Sequence, residues 1–259
     1  MADILGERDD AVPQRPTRVS EMSRESQLPR RFYKDVLVTE RKGRLVAELD
    51  GRPIKTPGKQ LLAFESPIIA DAVAEEWRGQ RERIDPMSMP LTRLAHSAID
   101  GVAIDMQAVK EDVVRYAGTD LLCYRAGRPQ GLIDRQMALW DPLIDWAQAA
   151  LSVRLALAEG VMHVEQPERS IAAFSAHVGD VNDPLTLAAL HVATSITGSA
   201  ILAMALLKGE VGLDKAWQIA HVDEDWNIAD WGVDDEAAHR RAARFVDMKA
   251  AALVLEQAA

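Results

Sequence analysis

The residues best suited to chemistry crowd into one stretch, 211–239. Between Glu210 and Glu236 stand nine carboxylates and a single lysine, Lys215, together with Trp217, Trp226 and Trp231, three of the chain's six tryptophans. Three of the acids are consecutive: Asp223, Glu224 and Asp225. Paired carboxylates do acid–base work only when their surroundings set their pKa values apart. So many together weaken the case for any one pair. His221 and Asp225 lie one helical turn apart, a spacing that suits a metal, but two ligands do not make a site. An acidic surface carrying indoles suits holding a protein surface of opposite charge, or simple solubility.

Wound as one helix at about 100° per residue, the stretch puts Leu213, Trp217, Ala220 and Trp231 on one stripe. Glu224 falls inside that stripe, about 20° from Leu213 by the same rotation. Asp223, Asp225 and Asp230 flank it, and Trp226 points to the opposite face. A carboxylate on an apolar row is costly to bury unless paired. Two readings follow: a salt-bridged core glutamate with Trp226 covered by another helix, or a partner-binding surface.

Elsewhere the chain offers little chemistry. It has no HExxH, CxxC, GxSxG or glycine-rich dinucleotide loop. GRPIKTPGK (51–59) fails as a phosphate loop: the glycines are too far apart, Gln60 follows the lysine, and two prolines remove amides. Cys123 is the sole cysteine, so no internal disulfide forms and a reducing compartment is suitable. Residues 131–259 carry 9 basic and 19 acidic side chains, which accounts for the whole net charge of −10. That balance argues against a nucleic-acid partner, which needs clustered Lys and Arg. The acidic N-terminus resembles neither a secretory signal nor a transit peptide, so a bacterial-type cytoplasm is expected. No cofactor or metal is implied.

The elements that must position the acidic stretch read as follows. Residues 1–28 are polar, with Pro13 and Pro16, and are expected to be a flexible arm. Residues 29–65 make a β-rich domain: strand-like runs at 32–40, 44–49, 52–56 and 60–64, joined by turns at Lys42-Gly43, Asp50-Gly51 and Pro57-Gly58. Residues 66–259 make a helical domain. Ser66-Pro67 opens a helix with Ile69, Val73 and Trp77 inward. Further helices are expected over 91–105, 107–116, 130–151 (with Pro142 as a kink or a new start), 167–178 and 235–255. A short extended piece falls at 161–164. Residues 185–207 are apolar, but Gly198 and several hydroxyls interrupt them. They are read as a buried helix, or two broken near Gly198, not a membrane span. In the last helix Ala238, Ala242, Phe245 and Ala252 share the expected core face. The fold class is α+β: a small N-terminal antiparallel β domain followed by a larger all-helical C-terminal domain.

Seven stretches, in order, carry a resemblance: RFYKDV (31–36), LDGRPIKTP (49–57), AEEWRGQ (74–80), IDPMSMPLTRLAHSAID (84–100), TDLLCYRA (119–126), QMALWDPLIDW (136–146), and 217–239 with its Trp231-Gly232 pair. Together the chain resembles the F-type ATP synthase assembly chaperones that bind the alpha subunit of the catalytic head. Asn227 stands where a glutamine is expected, and Asp223-Glu224-Asp225 where the family tends to run glutamates; the charge is kept. The resemblance implies no enzymatic activity, no cofactor, a monomer when free, and counterparts in the mitochondrial matrix. It implies that the chain masks free alpha subunit until beta arrives. On that reading Glu224, Asp223 and Asp225 form the charged part of the alpha-binding surface, and Trp226 or Trp231 the apolar anchor. A hydrolase or transferase with an unrecognised carboxylate and histidine pocket is the alternative. A generic helical scaffold is a third reading.

Overall fold

The structure, a computed structural model, describes residues 27–160 and 162–259. The arm expected over 1–28 lies outside it except for its last two residues. The architecture is α+β, a small antiparallel sheet at the N-terminal end followed by ten helices among the described residues.

β2 (Arg44–Leu49) is the centre of the sheet. It pairs with β1 (Val36–Arg41) along its full length, from Val36 opposite Leu49 to Arg41 opposite Arg44. On its other edge β3 (Arg52–Pro53) meets Glu48 and Leu49, and β4 (Ala63–Phe64) meets Leu45 and Val46. Both hairpin turns use positive φ at two successive residues: 52° and 77° at Lys42-Gly43, 49° and 76° at Asp50-Gly51. That is the geometry that follows the twist of paired strands. The run expected from residue 32 becomes strand only at Val36, because residues before it bond to a helix instead. Tyr33 Oη donates to the Trp77 carbonyl at 2.7 Å, and the Arg31 side chain reaches the Gln80 carbonyl.

α1 (Pro67–Arg78) starts at Ser66, whose hydroxyl accepts from Ile69 N, and buries Ile69, Val73 and Trp77. Arg78 donates to the Val36 carbonyl and pins α1 to the strand. The Glu76 carboxylate accepts from Leu91 N, Thr92 N and the Thr92 hydroxyl, each at 2.7 Å, capping α2 (Pro90–Ser97). The helix expected over 91–105 ends there and continues as a wider π turn, Ala98–Val102. This turn aims Asp100 back at the sheet, where it accepts from Thr56 Oγ1 at 2.6 Å and Gly58 N at 2.7 Å. The amide of the rejected phosphate loop is thus taken up by the protein itself.

The helical part is layered around an apolar pair, α6 (Pro184–Thr197) and α7 (Ala200–Leu207), broken at Gly198, whose φ is 69°. Every residue of α7 is buried. α3 (Met106–Ala117), α4 (Gln130–Leu151) and the C-terminal helix (Asp235–Glu256) lie against the pair, and α5 (Glu168–Gly179) packs on α3 and α4. Pro142 sits inside one unbroken α4. Among the described residues no helix is long and apolar enough to cross a membrane. The extended piece expected at 161–164 forms earlier: β6 (Ala158–Glu159) pairs in parallel with β5 (Tyr124–Arg125). Gly160, with φ 79°, then turns the chain away.

Candidate partner-binding groove

The acidic stretch is not one helix. It forms α8 (Leu213–Ala220) and α9 (Val222–Trp231), broken at His221, and a short connector leads to α10 (Asp235–Glu256). The cause of the break is local. His221 Nδ1 lies 2.8 Å from the Trp217 carbonyl, which a continuous helix would offer to the His221 amide. A carbonyl only accepts, so Nδ1 holds the proton. The imidazole is buried, stacks 3.9 Å from the Trp217 ring, and has its pKa lowered chiefly by desolvation. A fresh helix therefore begins at Val222, with Asp223, Glu224 and Asp225 in its first turn, where the helix dipole favours negative charge.

The break re-aims everything after it, and the single-stripe expectation is corrected. Trp231, placed on the buried stripe by rotation, is 87% exposed. Trp226, placed on the open face, is half-buried against α4. A Cβ on Gly131 would come within 2.7 Å of its ring, and the Arg135 guanidinium lies 5.8 Å from the ring centre. Asp223 also turns to α4, accepting from Gln136 Nε2 at 2.7 Å. Trp140 Nε1 donates to the Ile219 carbonyl and ties the end of α8 to the same helix.

The other two acids turn toward α10. Asp225 meets Arg241 Nη1 at 2.6 Å. Glu224 is held more loosely, 3.8 Å from Arg241 Nε and 3.7 Å from His221 Nε2, with 42% of its side chain exposed. The His221 and Asp225 pair, rejected as a metal site, is split, His221 facing Glu224 and Asp225 facing Arg241. Among the described residues no group of three His, Cys, Asp or Glu converges.

Between α9 and the first half of α10 runs an open groove of about 560 Å³. Trp217 and Phe245, rings 4.8 Å apart, form its floor. Ile228 and Trp231 make one wall, Ala238 and Ala242 the other, and Glu224 and Arg241 stand at its edge. The expected core face of the last helix needs correction here. Ala238 and Ala242 are exposed, and α10 buries itself only from Met248 onward. The same stripe serves two environments along one helix. Sequence reasoning found the acids and the indoles but missed this wall. The available signal was size: alanines at 237, 238, 242 and 243 give way to Met248, Leu253, Val254 and Leu255.

An apolar slot with an acidic edge can bind, but it brings no nucleophile to a base. Cys123 is buried, and desolvation pushes its thiol up to about 12, with the neighbouring Asp120 charge adding to the effect. Such a thiol is inert.

Known proteins share this fold. The "ATP12 chaperone protein" family matches residues 30–148, ending before the groove. A solved putative chaperone from Agrobacterium tumefaciens is 48% identical, with a TM-score of 0.85, and the alignment covers 93% of this chain and 91% of that one. Atp12 from Paracoccus denitrificans is 38% identical with a TM-score of 0.82, over 89% of this chain and 99% of that one. The chain belongs to the ATP12 chaperone family. A curated relative, mitochondrial protein atp12 of Schizosaccharomyces pombe, is 23% identical over 220 residues, 80% of this chain and 75% of that protein. ATP12 proteins are chaperones of ATP synthase assembly. Both structural alignments run well past residue 148, so the likeness extends beyond the stretch that the family match covers.

Proposed function

We propose that this ATP12 chaperone binds the free alpha subunit of the catalytic head, keeps it from aggregating, and yields it when beta arrives. The groove between α9 and α10 is the surface it uses. The observation that carries this reading is Trp231, an indole 87% exposed at the lip of an apolar slot. A soluble chain leaves such a ring in water at a cost, and grouped exposed apolar surface marks interaction sites. An unassembled subunit, with the surface meant for its neighbours still bare, is a fitting occupant.

The five residues divide the work. Trp231 enters the partner's apolar surface, as aromatic anchors at interfaces do. Glu224, the least tightly paired acid of the three, meets a cation on the partner, with Asp225 beside it at the edge. Asp223 and Trp226 act from behind, fixing α9 on α4. Charge complementarity of this kind sets partner choice and association rate.

The test is light scattering of isolated alpha subunit with and without the chaperone, in the absence of nucleotide and metal. Wild type should keep alpha soluble. Glu224→Lys should fold normally and fail, and Trp231→Ala should weaken binding by about 2 kcal/mol, the scale of an interface anchor. Full protection by a folded Glu224→Lys variant would refute the site.

A further inference from the structure

We infer that Arg241 is the tie that sets the width of the slot between α9 and α10, and so decides what the groove admits. This rests on the reading that the groove receives the alpha subunit.

Two helices bordering an unfilled slot of about 560 Å³ gain little packing energy from each other. Their spacing must come from other contacts. α9 is anchored on its far side, through Asp223 to Gln136 and Trp226 over Gly131. The first half of α10 is anchored separately, through Arg244 to the Ile196 carbonyl and Phe245 against Trp217. Between these two anchorages the chain closes the slot at one end with Gly232, Val233 and Asp234. Arg241 closes it at the other. Its guanidinium reaches across to Asp225 at 2.6 Å and toward Glu224 at 3.8 Å, and sits 5.9 Å from the Trp217 ring centre. Among the described residues these are the ion pairs that join α10 to α9.

The arginine side chain is 21% exposed, so its pairs are less screened than surface pairs and its planar fork fixes direction as well as charge. The competing explanation is plain neutralisation of an acidic helix start. Neutralisation needs a positive charge nearby but no particular direction of reach. A tie needs a partner on each helix, whichever end carries which sign. Arg241 is thus a positioning residue: it holds Ile228 and Trp231 at a set distance from Ala238 and Ala242.

Two measurements on the full chain test this. The first is hydrogen exchange of the free protein over residues 222–231. Arg241→Ala should speed exchange there by about tenfold, with residues 248–255 unchanged, since local opening follows loss of local contacts. Asp225→Ala, which cuts the tie from the other helix, should do the same. The double exchange Arg241→Glu with Asp225→Arg should restore slow exchange. The second is alpha-subunit binding, expected to weaken about tenfold in each single variant and to recover in the double exchange, as coupled charge pairs do. Unchanged exchange in both single variants overturns the proposal, as does a double exchange that fails to recover. If wild type ignores alpha, the parent reading falls, while the exchange arm still decides whether Arg241 ties the helices. If Arg241→Ala also loosens 248–255, the outcome for Asp225→Ala decides between tie and general destabilisation.

Discussion

Asp120 places a carboxylate in the driest part of the molecule. It is fully buried, accepting from Leu122 N at 3.1 Å and Ile201 N at 3.0 Å beneath the start of α7. Desolvation pushes its pKa from 3.8 up to about 6, against the downward pull of hydrogen bonds from Ile201, Ser199, Leu122 and Ala200. The folded value lies above the unfolded one, so the group favours folding most below pH 4. That contribution is lost as the pH rises through about 6. A shift of this size corresponds to roughly 3 kcal/mol. Thermal melts of wild type and Asp120→Asn between pH 4 and 7 check it. Wild type should lose stability relative to the variant as the pH rises across that window, and parallel curves would rule the effect out. The carboxylate satisfies amides at the head of an apolar helix.

At the scale of elements, α9 is aimed by its contacts with α4. Gly131 permits the approach: a Cβ there would meet the far edge of the Trp226 ring at 2.7 Å, so the ring would have to shift. Gly131→Ala should therefore lower stability by about 1 kcal/mol after alanine's better helix propensity is subtracted, read as a lower melting temperature. It should also shift Trp226 fluorescence toward that of an exposed indole. An unshifted spectrum with raised stability would show that the contact is soft. The local devices of this fold were legible in the chain itself. Asp50-Gly51 and Ser66-Pro67 act through one or two residues, so their turn and cap could be read without the rest of the molecule. The break at His221 could not. Its cause is a side chain bonding to the carbonyl four residues back, while the apolar period runs on across the gap. One residue of broken helix was enough to exchange the environments of Trp226 and Trp231. The last helix misled for a different reason. A stripe of small apolar residues looks the same whether a core or an empty slot lies beside it.

At the scale of the whole molecule, the sheet and the helices are sewn together by polar contacts placed in the shared motifs. Arg31 and Tyr33 reach the end of α1, Glu76 caps α2, and Asp100 clasps Thr56 and Gly58. These give RFYKDV, AEEWRGQ and the run around Asp100 a structural role: they build the frame. The proposed working surface lies elsewhere, where α9 and the first half of α10 border an open slot. Its acids were visible in the sequence as composition; their separation into two toward α10 and one toward α4 was not, because it depends on which helices surround them. The proposed function turns on one assignment, that the alpha subunit sits in this slot. Hydrogen exchange of the chaperone with and without alpha reads that contact residue by residue. Exchange should slow over residues 227–242 on adding alpha, with the sheet unchanged. Protection of the sheet or of α1, with residues 227–242 unaffected, would place the alpha subunit somewhere else and overturn the assignment.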